Sequence, residues 1–163
     1  MDVLPKIERG EADSRLEASR ISNINNISLL TLQGSGMVGV PGYSKRLFET
    51  LSENNINIIL ITQASSENSI CVGVLEEDVT VAERSINDCF KNEILSHKID
   101  SINIERELAI IAVIGNEMKS KQGVSGKMFS VLGKNNVNIR AIAQGSSERN
   151  ISAVISKFDV KKA

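Results

Sequence analysis

The sequence predicts an α+β protein made of two ferredoxin-like βαββαβ units, of which the second is incomplete. The first observation is an internal repeat, because residues 27–74 align without a gap with residues 108–155 at a constant offset of 81. Identical pairs along this alignment include Gly34/Gly115, Met37/Met118, Gly42/Gly123, Phe48/Phe129, Asn57/Asn138 and Gln63/Gln144. The second observation is that each copy alternates apolar, β-prone runs with a helix that has one apolar face. Self-similarity at a fixed spacing indicates a duplicated structural unit.

The first copy supplies every element of the predicted unit. An apolar strand over residues 27–33 ends at Gly34, and a glycine-rich turn over residues 34–42 follows it. Apolar residues recur at helical spacing over residues 43–54, and the Asn pair Asn54–Asn55 tolerates the left-handed backbone that stops a helix. The remaining predicted elements are strands over 56–62 and 69–75, a helix over 78–91 with Asp78 as N-cap, and a strand over 99–105. This order is typical of the ferredoxin-like split βαβ fold.

The second copy is predicted to stop before its second helix and last strand. After a strand over residues 151–155 the sequence reaches Asp159, the equivalent of Asp78, and ends at Ala163. A sheet of this kind needs its second helix to cover one face. Residues 1–20 are polar and match neither copy, so they are a tail, a linker, a tag remnant or a short helix over residues 11–20. The predicted domains are therefore residues 21–106 and 107–163.

Composition argues against several classes of function. The net charge is −1, which provides no overall field for nucleic acid or for an anionic membrane. No apolar run approaches the roughly 20 residues of a membrane helix, and no secretory signal is present at the N-terminus. Two cysteines, Cys71 and Cys89, without an export signal indicate free thiols and a cytoplasmic location. The single histidine, His97, and the lack of a Cys-x-x-Cys motif argue against a metal site, and no cofactor is expected.

The recurring glutamines Gln63 and Gln144 are the main candidates for ligand binding. Each follows the second strand of its copy, and a side-chain amide both donates and accepts hydrogen bonds. The glycine-rich turn before the first helix offers backbone N–H groups to a carboxylate. In a split βαβ sheet these two places lie near each other, which predicts a polar niche for a free amino acid. The alternative is a hairpin turn that merely caps itself.

Two other kinds of site are disfavoured. Residues 34–39 read G-x-G-x-x-G after a strand, but a dinucleotide site also needs an acidic residue about 20 positions later. That region contains Asn57, Ile58 and Ile59, and the second copy does not keep the glycine pattern. The sequence also contains no nucleophile elbow, no P-loop lysine motif and no paired His and Cys, so catalysis by this chain is not expected.

Three segments carry a resemblance to a known family. They read ISNINNISLLTLQGSGM, LITQASSENSICVGV and AIAQGSSERNISAVI, at residues 21–37, 60–74 and 141–155. They resemble the tandem ACT domains of aspartate kinases, and most closely those of bifunctional aspartate kinase–homoserine dehydrogenases, over residues 21–163. The resemblance implies a regulatory region that has no kinase activity of its own. It also implies that the second domain is completed partly by sequence lying before the first.

The resemblance further implies a ligand, its contacts and partners. The ligand is threonine, whose binding inhibits the attached kinase, a phosphotransferase that acts on a carboxyl group. Partners are a second copy, through ACT–ACT pairing, and the kinase and dehydrogenase domains of a parent chain. The residues that match the family's ligand contacts are Gln63, Gln144, Gly39, Val40, Pro41, Gly42, Asn57 and Ile58, with Asn138, Ile139 and residues 120–123 as second-copy counterparts.

Two alternatives stay open. The chain could be a structural dimerisation module with a vestigial ligand site, or a lysine-responsive regulator. A lysine site needs an acidic partner for the ligand's side-chain ammonium, and the strand positions Ile59 and Arg140 offer none. Threonine is therefore the favoured ligand.

Overall fold

The structure, a computed structural model, describes residues 7–10, 20–63, 68–118, 121–147 and 149–163. These residues form two compact units. The first-repeat unit is Ile27–Arg106, and the second-repeat unit joins Glu107–Ala163 to the described residues before Ile27. Residues 21–26, assigned above to the first domain, thus group with the second repeat. In the part of the chain that the structure describes, no helix has the length and apolar character to cross a membrane.

The strands and helices have the following bounds. The strands are β1 Ile7–Gly10, β2 Arg20–Gln33, β3 Leu60–Gln63, β4 Ser69–Leu75, β5 Asn103–Ile114, β6 Ile139–Gln144 and β7 Asn150–Ser156. The helices are α1 Tyr43–Glu53, α2 Val79–Cys89, α3 Lys91–Leu95 and α4 Val124–Lys134. The long strands β2 and β5 each contribute to both units, and both change backbone conformation at the boundary, where Asn26 has φ 57° and Glu107 has φ 60°.

The first-repeat unit has the predicted βαββαβ order. Its strands lie in the order β3–β4–β2–β5, and β4 pairs antiparallel with both β2 and β3. Asn55 has φ 55°, so the Asn pair ends α1 as predicted. The predicted second helix is divided at Phe90 into α2 and α3, and Asp78 precedes α2 without a capping bond from its side chain.

Two predicted strand boundaries in this unit were wrong. The strand predicted from residue 56 begins at Leu60. Just before it, Ile59 N donates a hydrogen bond to Gly73 O of β4 at 2.8 Å. The strand predicted from residue 99 begins at Asn103, and before it Asp100 N donates to Gln33 O at 2.8 Å, next to the glycine-rich turn.

The core of the first-repeat unit lies between its sheet and its helices α1 and α2. Sheet residues Leu30 and Leu32 are buried against the helices. The helix residues of this core are Leu47 and Leu51 from α1, and Val79, Ala82 and Ile86 from α2, with Phe90 just after it. Burial of large aliphatic and aromatic side chains contributes about 1.5–3 kcal/mol each. Helices α1 and α2 therefore both contribute buried side chains to this core.

The second-repeat unit fills its fourth strand position from the N-terminal side. Its strands lie in the order β6–β7–β5–β2, and β1 pairs antiparallel with β2. Residues 20–26 of β2 thus stand beside β5, where the sequence predicted a missing strand. After β7 the described chain continues as a 3-10 helix, Lys157–Asp159. The short helix considered for residues 11–20 falls mostly on residues 11–19, outside the described residues, and Arg20 begins β2.

An apolar groove of about 150 Å³ lies between α4 and the end of the described chain. Its lining includes Ile111, Val113, Met128, Leu132, Val160 and Ala163. The first-copy equivalents of these residues, 81 positions earlier, are Leu30, Leu32, Leu47, Leu51, Val79 and Ala82. All six equivalents are buried in the core that α2 completes. The second copy therefore carries, at equivalent positions, the apolar residues that form the core in the first copy.

Candidate amino-acid site

The turn between the first strand and the first helix is anchored at the same point in both copies. Gly34 N donates to Asn68 O at 2.9 Å, and the equivalent Gly115 N donates to Arg149 O at 3.0 Å. Asn68 and Arg149 both precede the strand that pairs with the glutamine strand of their copy. This bond therefore holds the start of each turn beside the loop that follows Gln63 or Gln144.

The described parts of the two turns also have equivalent backbone features. Each contains a 3-10 helix, Ser35–Met37 in the first copy and Asn116–Met118 in the second. Val40 N donates to Met37 O at 3.2 Å, and Lys121 N donates to Met118 O at 3.1 Å. Each turn then ends in a left-handed glycine that precedes its helix, Gly42 with φ 103° and Gly123 with φ 86°. Residues with a Cβ rarely adopt this conformation, so the repeated glycines fix how each helix begins.

Gly34 has a second role in the first copy, where the backbone approaches very closely. A Cβ on Gly34 would lie 2.2 Å from Lys98 O and 2.5 Å from the Cα of Ile99. Gly36 N donates to the same Lys98 oxygen at 2.9 Å, and Asp100 N donates to Gln33 O at 2.8 Å. The turn is thus packed against residues 98–100 without room for a side chain at position 34.

The two glutamines occupy equivalent places at the ends of their strands. Gln63 is the last residue of β3 and pairs with Ile70, and Gln144 is the last residue of β6 and pairs with Ile151. Both glutamines are exposed, whereas both isoleucine partners are buried. Each glutamine is therefore an exposed polar residue at the end of its strand, paired with a buried isoleucine on the neighbouring strand.

In the second copy the structure brings Gln144 together with the turn and the start of the helix. A pocket of about 240 Å³ is lined by Met118, Lys121, Gln122, Val124, Ser125, Gln144 and Ile151. Its lining combines an amide at the end of β6, polar side chains from the turn, and the first turn of α4. The helix N-terminus contributes a positive end of the helix dipole to this place.

The structure places the other predicted residues elsewhere. Asn57 and Ile58 line a wide pocket of about 480 Å³ at the C-terminal end of α1, with Phe48, Ser52, Asn55 and Ile56. Asn138 lies just before β6, and Ile139, the first residue of β6, packs on the second core. At about 3.3 Å per residue, Asn138 is about 20 Å from Gln144 along the strand. Because the helix returns antiparallel to the strand, the start of the strand and the turn lie at opposite ends of each unit.

Some candidate residues are exposed in the turn, and others fall outside the described part. Gly39, Val40, Pro41 and Gly42 are all exposed. Residues 64–67, 119–120 and 148, which include the Ser-Ser-Glu of the first copy and the Glu of the second, lie outside the described residues. Sequence reasoning from motifs missed Ser125 and Met118 as lining residues, although both are repeated in the first copy as Ser44 and Met37.

An ion pair fixes the helix that begins at the first turn. Arg46 forms a hydrogen-bonded ion pair with Glu93, donates to Cys89 O at 2.6 Å, and lies 4.5 Å from the centroid of the Phe90 ring. The Arg46 hydrogen bond holds the pKa of the Glu93 carboxyl below its ordinary value. The first turn of α1 is therefore tied to the junction of α2 and α3.

A family comparison identifies the duplicated unit. The profile of the ACT domain matches residues 30–90 and 111–163. The chain belongs to the ACT domain family. The two matches fall one on each repeat, which confirms the predicted tandem ACT fold.

Relatives with similar sequences are large bifunctional enzymes. The ACT chain is 35% identical over 159 residues to the chloroplastic bifunctional aspartokinase/homoserine dehydrogenase 2 of Zea mays, covering 98% of this chain and 17% of that protein. It is 41% identical over 140 residues to the bifunctional aspartokinase/homoserine dehydrogenase of Haemophilus influenzae, covering 86% of this chain and 17% of that protein. The chain thus spans about one sixth of the length of these relatives.

Solved structures place the same fold in aspartate kinases. The regulatory subunit of aspartate kinase from Thermus thermophilus superimposes with a TM-score of 0.74 at 20% identity, covering 88% of this chain and 92% of that chain. Aspartokinase III of E. coli, in complex with lysine and aspartate, matches with a TM-score of 0.66 at 27% identity, covering 90% of this chain and 31% of that chain. The likeness to the Thermus subunit, at its lower identity, shows a shared fold.

Proposed function

We propose that this chain is the regulatory, amino-acid-binding region of an aspartate kinase of aspartate-family amino-acid biosynthesis, and that it binds threonine for allosteric feedback inhibition. The observation that carries the proposal is the pocket in which Gln144 meets the turn and the start of α4. Its volume of about 240 Å³ lies below the range of about 300–1,000 Å³ typical of drug-sized ligands. A free amino acid is a ligand of suitable size.

The lining of the pocket favours threonine over lysine. The Gln144 amide can pair with the threonine hydroxyl or its ammonium, because it both donates and accepts. Among the described lining residues the charged one is Lys121, which would repel the side-chain ammonium of a bound lysine. The recurrence of Gln63 at the equivalent strand end supports a second, similar site in the first copy.

The proposed mechanism is a population shift. Threonine binds one arrangement of the ACT units better than another, and the attached catalytic domains follow that equilibrium. The strength of inhibition then equals the differential affinity, typically 1–3 kcal/mol for allosteric coupling. The proposed partners are a second copy, through ACT–ACT pairing, and the kinase and dehydrogenase domains of a longer chain. A cytoplasmic location, expected from the sequence, stays a prediction.

Thermal shift and calorimetry with L-threonine, L-lysine and L-methionine test this proposal. At 100 times Kd a ligand stabilises its protein by about 2.7 kcal/mol, which raises the Tm of a chain of this size by about 5–10 °C. Gln63→Ala and Gln144→Ala should each remove one binding event. Gln33→Ala, which removes an exposed glutamine from the end of β2, is the matched control and should bind as the unaltered chain does. No heat and no thermal shift from threonine, with a folded circular dichroism spectrum, would refute threonine binding.

A structural dimerisation module is the second candidate, and one observation favours it. Ile61 and Ile142 occupy equivalent positions on β3 and β6, the strands at the ends of the two sheet orders, and are 49% and 44% exposed. Exposed apolar residues on an edge strand suit pairing with another sheet. A pairing module keeps its oligomeric state in both glutamine variants and shows no ligand-linked shift in any of them.

A further inference from the structure

The two proposed sites have similar backbone features but differ in the side chains of the turn. Matching hydrogen bonds and left-handed glycines occur at equivalent positions in the described parts of the two turns. In the second copy the turn presents Lys121 and Gln122 to the pocket, whereas the first copy has Val40 and Pro41 at these positions. Any difference between the sites therefore lies in side-chain chemistry.

Lys121 is placed to contact the carboxylate of a ligand that also contacts Gln144. Both residues line the same pocket, together with Ser125 in the first turn of α4. An ammonium group is a compact positive charge with three donors, and the N-terminus of the eleven-residue helix α4 adds potential of the same sign. The amide of Gln144, which lines the same pocket, offers an acceptor for the ligand's ammonium. A zwitterion thus finds complementary groups at both of its charged ends.

The first copy offers its ligand no charged side chain at the equivalent place. Val40 is apolar and 51% exposed, and Pro41 lacks a backbone N–H donor. The position of Val124 in the second pocket is taken by Tyr43, whose ring stacks on Phe90 with centroids 6.0 Å apart. Among the turn positions that replace Lys121 and Gln122, a carboxylate there finds no charged side chain and no amide donor.

We propose that Lys121 is a specificity-determining residue that binds the ligand carboxylate and makes the two sites unequal. The second-repeat site then binds an amino acid more tightly than the first-repeat site, and its affinity falls more steeply with salt. This inference rests on the proposed function, because it requires an amino acid to bind beside Gln144.

Calorimetric titration of the second site tests the inference in a Gln63→Ala background. Lys121→Met should raise the Kd for L-threonine about tenfold to a hundredfold, the effect of losing a hydrogen bond to a charged group. Lys127→Met, which removes an exposed lysine of α4 outside the pocket lining, should leave Kd within about twofold of its value. L-threoninamide lacks the carboxylate. It should bind the chain that keeps Lys121 as weakly as L-threonine binds the Lys121→Met chain.

Two further arms separate the inference from the proposed function. Raising NaCl from low to high concentration should weaken threonine binding in the Lys121 chain and leave the Lys121→Met chain nearly unchanged. In a Gln144→Ala background, Val40→Lys should tighten the first site. If threonine binds but Lys121→Met and a second variant, Lys121→Gln, keep the parent Kd and salt dependence, the inference fails while the proposed function stands. If the unaltered chain binds no threonine, the proposed function fails first.

Discussion

The substitution Gly34→Ala tests whether close backbone packing sets the position of the first turn. Gly34 has φ 172°, an extended conformation that alanine also adopts, so any effect comes from space and not from backbone strain. The new Cβ would lie 2.2 Å from Lys98 O and 2.5 Å from the Cα of Ile99, and both neighbours are backbone atoms. Because ordinary contacts of a Cβ begin at 3.4 Å, the two segments must separate by about 1 Å.

This separation should lower the stability of the folded chain. It stretches the hydrogen bonds from Gly36 N to Lys98 O and from Asp100 N to Gln33 O, each now 2.8–2.9 Å. Overpacking alone costs about 1–3 kcal/mol, and weakening two backbone bonds adds about 1 kcal/mol. We therefore expect the free energy of unfolding to fall by about 2–4 kcal/mol, which lowers Tm by about 4–16 °C for a chain of this size.

The assay is thermal and urea unfolding followed by circular dichroism, with Gly133→Ala as the control. Gly133 lies in α4 with nothing within 4 Å of the position of a new Cβ, so the same substitution meets no obstacle. Alanine should stabilise that helix by about 0.5–1 kcal/mol. The two variants are thus expected to move Tm in opposite directions. A Gly34→Ala chain that melts with or above the unaltered chain would show that the turn is not held by this contact.

Three more predictions concern the first-repeat unit. Glu93→Gln should lower stability at neutral pH by up to about 1 kcal/mol, since the pair with Arg46 is only partly buried. Because the folded pKa of Glu93 is lowered, its stabilisation is present above its unfolded pKa and disappears as pH falls through the folded value, so urea unfolding curves of the two chains should converge in acid. Burial raises the pKa of the Cys71 thiol, so alkylation followed by mass spectrometry should find Cys71 slower than free cysteine at pH 7 and faster as pH rises; equal rates at pH 7 would contradict this. Phe90→Ala should cost about 3–5 kcal/mol in chemical denaturation, because the ring is fully buried, and a loss below about 1 kcal/mol would mean that α2 does not complete the core as described.

The duplicated fold was predictable because its determinants are local and occur twice. Apolar periodicity gave α1 and β4, and the paired asparagines ended both helices, with Asn55 and Asn136 each at φ 55°. The contribution of residues 20–26 to the second-repeat unit was harder to see. These residues are mostly polar, and their strand pairs with β5, which lies far along the chain at Asn103–Ile114. Local pattern carries no information about such a partner.

The candidate site was predictable only in part. Gln144 and the turn recur by position, and the topology of a split βαβ sheet places them at the same end of the unit, as the pocket shows. Asn57, Ile58 and their counterparts came from family resemblance, and each pair lies at the other end of its strand from the glutamine. The difference between Lys121 and Val40 is visible in the sequence, but only the shared turn conformation shows that these side chains occupy equivalent places.

The location of the proposed site determines what a ligand can change. An amino acid bound between Gln144 and Lys121 links the end of β6 to the start of α4, two elements connected along the chain by residues 135–138 at the far end of the unit. The near end is held by the backbone bond between Gly115 and Arg149 and by packing of Met118 in the core. A ligand there therefore adds a second connection between helix and sheet at the end where the chain does not join them. Its binding energy favours the arrangement that brings helix and sheet closest together. A site at the Asn138 end would add little, because the chain already joins helix and sheet there.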